Sequence, residues 1–322
     1  MSEKKIPVTI IINVYNGDAY LEEAIESVRN QTFKDFKLLI FDNCSTDNTA
    51  QIANKYVHLD SRVLHVLNTD FCSLGEARQR AIDKTTTTFV GFLDSDDIML
   101  PDSLEKRMNK IQSNPDFITC ICGHHNYLNN KIIATYLPNF KADNQLSFLL
   151  LESGIMPSGM LINREKLLSS NVIFDTNLKT SEEVLFALEL CMHGLLCAVE
   201  EPLFYYRIHE SSLTANNLDR FYFEREYVFN KLQTKYPDQL KGYEKEWAVA
   251  KSRINYYKAQ YLFSQNKNKE ARIELGEVSH VSILYRILYS VSFVPPLWRF
   301  LHTPKVKLAL QKIALSTLKS GV

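Results

Sequence analysis

The sequence predicts an α/β fold: a mixed, mostly parallel sheet flanked by helices, continued by a helical C-terminal extension. Three observations lead there. Short apolar runs alternate with helical patterns through the first hundred residues, which is how a parallel sheet with crossover helices reads in sequence. An acidic cluster, Asp94-Ser95-Asp96-Asp97, directly follows one of those runs. Beyond Asn217 the alternation gives way to long helical patterns rich in Tyr, Phe, Lys and Glu.

Val8 to Ile12 reads as a buried strand, and Asn13 to Gly17 as the loop at its carboxyl end. Ala19 to Gln31 carries Leu21, Ala24, Ile25 and Val28 at helical spacing. Phe36 to Phe41 gives a second strand, and the polar stretch Asp42 to Asp47 caps a helix running to about Tyr56. Arg62 to Leu67 is a third strand, Leu74 to Asp83 a helix, and Phe89 to Leu93 a fourth strand. A helix from Pro101 to Ser113 has Pro in its first turn. Strands are expected at 117–122 and 131–136, a short helix at 146–151, a turn at 154–159, a strand at 160–162 and a helix at 164–170. Glu182 to His193 is helical and stopped by Gly194; 197–199 and 203–208 read as two closing strands. The expected division is a catalytic domain at 1–216, with a nucleotide-binding half (1–100) and an acceptor half (101–216), followed by the extension at 217–322. Within the extension, 248–274 resembles one helical hairpin of a tetratricopeptide-like array, and one unit does not make a repeat.

Composition narrows the class. With 37 Lys and Arg against 37 Asp and Glu there is no global field to favour nucleic acid, and none is expected as a partner. The six cysteines are scattered, and the tight pair Cys120 and Cys122 has one spacer where zinc or redox motifs need at least two, so reduced thiols in a cytoplasmic protein are expected. The N-terminus lacks the pattern of a signal peptide, and no apolar run approaches membrane-spanning length.

In an open parallel sheet, ligands bind beyond the carboxyl ends of the strands, so Tyr15, Asp42 and Asp94 to Asp97 are expected on one edge. Carboxylates there suit a hard divalent cation, Mn²⁺ or Mg²⁺, neutralising a diphosphate leaving group. Two acids separated by one residue can aim one at the metal and the other at a ribose or a metal-bound water. Clustered acids on a loop also serve simply to cap the next helix.

Five ordered segments then carry a resemblance: Ile10 to Gly17, Asp42 to Thr49, Ala77-Arg78-Gln79, Phe92 to Asp97 and Tyr205 to His209. Together they resemble the signature of the family 2 glycosyltransferases, inverting enzymes of the GT-A (Rossmann-like) fold, over about residues 7 to 214. The resemblance implies a nucleotide-diphosphate sugar donor, most often a UDP-sugar, and a saccharide or lipid-linked acceptor in cell-surface polysaccharide synthesis. It implies that Asp42 contacts the donor's base beside the Val14-Tyr15 loop, although an Asp followed by Ser and Thr also forms turns. Arg78 matches an arginine that meets phosphate or steadies the acidic cluster, and its plainer reading is a solvent-facing helix residue. Asp96 would hold the metal, Asp94 the ribose or the metal's water, with Ser95 between them; His209 would lie by the metal and Arg207 by the diphosphate. Ser158, Gly159 and Met160 fall on the segment that faces donor sugar and acceptor.

Three positions depart from the family pattern. The catalytic base is commonly the Asp of a Glu-Asp pair opening a helix; here the pair is Glu182-Glu183, making Glu183 the candidate base and Glu182 its neighbour. Ser181 followed by two acids is also ordinary capping. Asn13 stands where Pro is usual, and Cys44 where Gly is common.

Residues 281–322 are apolar and basic together, with Trp298 among them, a composition suited either to peripheral contact with the inner face of the cytoplasmic membrane or to packing against the rest of the chain. Two other functions compete with sugar transfer. A sugar nucleotidyltransferase would need a Gly-rich basic loop, and 13–17 has one Gly and no Lys or Arg. A nucleotide-sugar-binding scaffold would follow if the altered base pair had lost turnover.

Overall fold

The computed structural model describes residues 7–139, 144–151, 155–209 and 218–302. Two compact units divide between Glu210 and Ser211; the boundary expected after residue 216 falls in 210–217, outside the described residues.

The first unit is a nine-stranded mixed sheet in the order β3-β2-β1-β4-β8-β6-β9-β5, with β7 paired to β6. Strand β1 (Val8–Val14) is buried along its whole length because both sheet faces are covered, which is why it reads as an unbroken apolar run. It pairs in parallel with β2 (Phe36–Asp42) and β4 (Phe89–Phe92), and β2 pairs in parallel with β3 (Val63–Leu67). Helices α1 (Asp18–Arg29), α2 (Thr49–Leu59) and α3 (Leu74–Asp83) make the crossovers. The register puts Val14 and Leu67 on either side of Asp42, and the Leu93 N–H donates to the Ile11 carbonyl. The carboxyl ends of β1, β2 and β4 therefore share one edge, as expected.

The second half of this unit completes that edge. Strand β5 (Ile98–Met99) precedes α4 (Ser103–Gln112), followed by β6 (Phe117–Leu128), β7 (Lys131–Tyr136) and α5 (Gln145–Leu151). A single 3-10 turn, Pro157–Gly159, leads into β8 (Leu161–Asn163), which lies antiparallel between β4 and β6 and so sets Ser158 beside the acidic cluster. Next come α6 (Arg164–Ser170), α7 (Glu182–His193) and β9 (Leu195–Arg207). The sequence suggested two strands where β9 is one. Glu200-Glu201-Pro202 looks like a break, but the register shifts around Gly123, opposite Pro202, and these irregularities accommodate a residue with no N–H to donate. Strand β5 has no sequence signal because two residues cannot show an alternation; it pairs antiparallel with β9, Ile98 opposite Tyr205.

The second unit contains α8 (Leu218–Lys235), α9 (Glu244–Ser264), α10 (Asn268–Val278), α11 (Ile283–Val291) and α12 (Pro295–Leu301). The hairpin expected around Asn266 is present: Asn266 turns the chain with φ 58°, and Ala259, Ala271 and Leu275 are buried between helices that need small residues to approach closely. Trp298 faces inward, stacked on Phe263 with ring centroids 4.4 Å apart. The six cysteines are all free thiols, and no helix among the described residues is long and apolar enough to cross a membrane.

Candidate active site

Strand β4 ends in Phe92, and the chain turns at once: the Asp97 N–H donates to the Asp94 carbonyl at 3.0 Å. This turn sends the acids in different directions. Asp97 is buried, accepting from the Ser158 hydroxyl at 2.6 Å and from the Arg207 N–H at 3.0 Å. The Ser158 hydroxyl in turn accepts from the Asp94 N–H at 2.9 Å, so one side chain ties both ends of the acidic turn together. Asp94 and Asp96 remain partly exposed. His209 Nε2 lies 2.8 Å from Asp96 Oδ2, and Arg207 Nε donates to the Asp96 carbonyl at 2.8 Å. Ser95 packs close to Gly17, where an added Cβ would lie 3.3 Å from the Ser95 hydroxyl and 2.6 Å from Val14; only Gly fits between them.

Arg78 connects this turn to α7. Its guanidinium donates to Asp94 Oδ1 at 2.8 Å and to Glu182 Oε1 at 2.9 Å, and both Arg78 and Glu182 are nearly inaccessible to solvent. The solvent-facing reading of Arg78 is therefore excluded. Glu182 is committed to Arg78, whereas Glu183, the next residue, is only partly buried.

Three carboxylates so close together leave an excess of negative charge. Burial pushes the Asp97 carboxyl well above the usual carboxylate range, and the neighbouring Asp94 and Asp96 charges push the same way. Asp96 is also raised, by burial first and by Asp94 second, with His209 opposing. Among the described residues no group of three or more His, Cys, Asp or Glu side chains converges as a ready ligand set. The donor chemistry nonetheless fits a hard divalent cation: an oxygen of Asp96 and a nitrogen of His209 meet at 2.8 Å where both side chains are partly exposed.

The loops after β1 and β2 are knitted together by Asn16, whose N–H donates to the Ser45 hydroxyl and whose side-chain oxygen accepts from the Thr46 N–H. Cys44, the departure from Gly, keeps a left-handed backbone at φ 68°, with its thiol 3.3 Å from the Asn68 carbonyl. Tyr15 projects from the edge, half exposed, and its ring meets that of the exposed Phe71 at 4.7 Å. Asp42 is placed differently. Its carboxylate is buried: Oδ1 accepts from the Ser45 N–H at 2.8 Å, and Oδ2 faces His65 Nε2 at 3.7 Å without a hydrogen-bond partner among the described residues. Asn13 is also buried, and neither its amide nitrogen nor its oxygen has a hydrogen-bond partner.

Ser158, Gly159 and Met160 are buried as well, and Ser158 supports the acids from behind. Gly159 is required by closeness, since a Cβ would lie 3.1 Å from the Phe204 ring and 3.3 Å from the Cys122 carbonyl. Arg107 was missed from the sequence. It is fully buried on α4, with Nη1 donating to the carbonyls of Ser158 at 3.3 Å and Met160 at 3.4 Å. Its signal was positional: residue 107 shares a helix face with Leu104, Met108 and Ile111.

The fold that carries these acids superposes on solved glycosyltransferases. Staphylococcus aureus TarS 1–349 in complex with UDP-GlcNAc superposes with a TM-score of 0.67 at 17% identity, covering 95% of this chain and 92% of that one. The mannosyltransferase PcManGT from Pyrobaculum calidifontis, in complex with GDP-Man and Mn²⁺, gives 0.62 at 15% identity over 95% and 86%. The fold is GT-A, and the class is that of the glycosyltransferases. The family described as glycosyl transferase family 2 matches residues 9–169, and the chain belongs to it. Among curated relatives, the putative teichuronic acid biosynthesis glycosyltransferase TuaG of Bacillus subtilis is 26% identical over 82% of this chain and 96% of its own length. The uncharacterized glycosyltransferase MJ1057 of Methanocaldococcus jannaschii is 33% identical over 34% of this chain, and only 38% of its length is spanned.

Proposed function

We propose that this glycosyltransferase transfers a sugar with inversion from a nucleoside-diphosphate donor, a UDP-sugar in the first instance, to a saccharide or lipid-linked acceptor in cell-surface polysaccharide synthesis at the inner face of the cytoplasmic membrane. The observation that carries the reading is the Arg78 guanidinium shared between Asp94 and Glu182, which joins the acids beyond β4 to the acid pair opening α7. Donor and base ends of the reaction then belong to one rigid network.

In this reading Glu183 takes the proton from an acceptor hydroxyl. The resulting oxygen attacks the anomeric carbon from the face opposite the diphosphate, and the bond to the β-phosphate oxygen breaks with its electron pair leaving on the diphosphate. Tyr15 offers an exposed ring to the base, while Asp42 holds the loop behind it. Asp96 and His209 would hold Mn²⁺ or Mg²⁺, with Asp94 toward the ribose or a metal-bound water; such an ion supplies positive charge to the departing diphosphate. Arg207 adds fixed positive charge on the same side, and the 158–160 segment influences sugar choice through the acids it supports.

The names of similar proteins support the donor class, since TarS was solved with UDP-GlcNAc and PcManGT with GDP-Man and Mn²⁺. The test is a panel of nucleotide sugars incubated with the chain and Mn²⁺. Release of nucleoside diphosphate from one donor, lost in Asp96→Asn, is expected; equal turnover in that variant would end the metal assignment. Stabilisation by UDP with Mn²⁺ but no release from any donor would favour the scaffold reading, which draws on the Glu183 substitution.

A further inference from the structure

Residues 278–322 contain six Lys and Arg and no Asp or Glu, in a chain whose charges as a whole balance at 37 of each sign. Within this stretch the described residues include α11, a short connector and α12. Its inner face is properly seated: Tyr285, Leu288 and Trp298 pack with Phe263, Leu275 and Val278 in the core of the second unit. Its outer face is the anomaly. Ile283 is 75% exposed and Ile287 53% on α11, Phe293 and Val294 are half exposed in the connector, and Leu297 and Phe300 are exposed on α12. A surface helix in water ordinarily turns polar residues outward, and apolar groups this large and contiguous mark a contact surface.

The charges carried by α11 and α12 themselves are of one sign. Arg286 and Arg299 lie on the exposed sides of α11 and α12, and Arg272 on α10 reaches over the Phe293 ring at 5.2 Å. Two acids of α10 are turned toward α9, Glu274 onto Lys258 and Asn255, and Glu277 onto Asn255. Apolar groups flanked by arginines, on helices that carry no carboxylate, complement a lipid surface bearing negative headgroups. The rings and aliphatic chains enter the acyl boundary to a depth of about 5–10 Å while the guanidinium groups remain at the phosphates.

We infer that the outer face of α11 and α12 is a docking surface for a bilayer containing anionic phospholipid, with Ile287, Phe293 and Phe300 inserting and Arg286 and Arg299 binding headgroups. This rests on the membrane placement proposed above and names the surface responsible. Trp298 is structural, so the aliphatic and Phe side chains carry the contact.

The test uses the full chain, sucrose-loaded vesicles of phosphatidylglycerol with phosphatidylethanolamine, and vesicles of phosphatidylcholine alone, read by sedimentation without any donor sugar. Binding to the anionic vesicles only, weakened by salt, is expected. In Ile287→Asp/Phe300→Asp the partition coefficient should fall about tenfold or more. Both positions are exposed, so circular dichroism and the melting temperature should match the wild type. Arg286→Gln/Arg299→Gln should reduce the anionic preference while leaving weak apolar binding. The proposal is overturned if the wild type stays in the supernatant, if the double Asp variant sediments as well as the wild type, or if the wild type is a dimer in light scattering that the Asp variant dissociates while neither binds vesicles. Because no donor is present, failure here leaves the sugar-transfer reading standing, and failure of turnover leaves this one standing.

Discussion

Arg78 and Glu182 form an ion pair withdrawn from solvent, Nη1 donating to Oε1 at 2.9 Å, across 104 residues of sequence. It fastens the start of α7 to α3, and through Asp94 the same guanidinium fastens both to the end of β4. Breaking a buried pair from one side strands the remaining charge, at a cost of about 3–5 kcal/mol. Arg78→Met is therefore expected to lower the melting temperature strongly and to abolish turnover. Arg78→Met/Glu182→Gln, which leaves only the partly exposed Asp94 without its partner, should recover part of the stability and none of the activity. Thermal unfolding of the two variants checks this; a single variant as stable as the wild type would show that the pair does not hold α7.

The two acids opening α7 should separate by phenotype. Glu182 is buried on Arg78, while Glu183 is partly accessible. Glu183→Gln is expected to keep the wild-type melting temperature and UDP affinity and to lose about 10²–10⁴-fold in transfer, the usual worth of a general base. Glu182→Gln should lose stability first. Equal transfer rates for Glu183→Gln and wild type would remove Glu183 as the base.

The site's outline was legible because strand ends and their loops are local in sequence. Val8 to Ile12 announces a buried strand, and Asp94 follows β4 so closely that its edge position needs no tertiary knowledge. What stayed hidden was long-range or about facing direction. The Arg78–Glu182 pair spans the chain, and an arginine flanked by Ala and Gln gives no sign of burial. Asp42 could be placed at an edge but not assigned a face: beside Val14 in the register, it is turned inward onto Ser45 and His65. The stretch around Trp298 left membrane contact and packing both open, because composition shows that a stretch is amphipathic without showing which residue is inside.

That placement makes donor binding a discriminating measurement. Tyr15 and Phe71 follow β1 and β3, strands two sheet positions apart and so about 9–10 Å from one another, yet their rings meet at 4.7 Å across the end of β2. Stacking of a base on an aromatic ring is worth about 1–3 kcal/mol. Titration calorimetry with UDP should show Tyr15→Ala and Phe71→Ala each weakening binding at unchanged melting temperature. Asp42→Asn should instead lower the melting temperature with a smaller change in affinity. The reverse pattern would return Asp42 to the base contact.

His124 sets an acid limit on stability. It is buried between strands, stacked with Tyr136 and close to Phe204, both at 5.2 Å. Burial lowers its pKa to about 4, His125 pushes it the same way, and Asn126 opposes. An unfolded-state histidine takes up its proton near pH 6.5, whereas the folded one does not until near 4. Between those values the unfolded chain binds more protons, so the contribution is complete above pH 6.5 and is lost as the pH falls toward 4. A shift of this size amounts to about 3 kcal/mol across the window. Urea unfolding of the wild type and His124→Gln at pH 7.5, 6 and 5 isolates it from the carboxylates, which titrate in both proteins. The variant should begin less stable, having lost the ring packing, and the gap should narrow as the pH falls; a gap constant with pH would mean that His124 takes up its proton equally in the folded and unfolded chain.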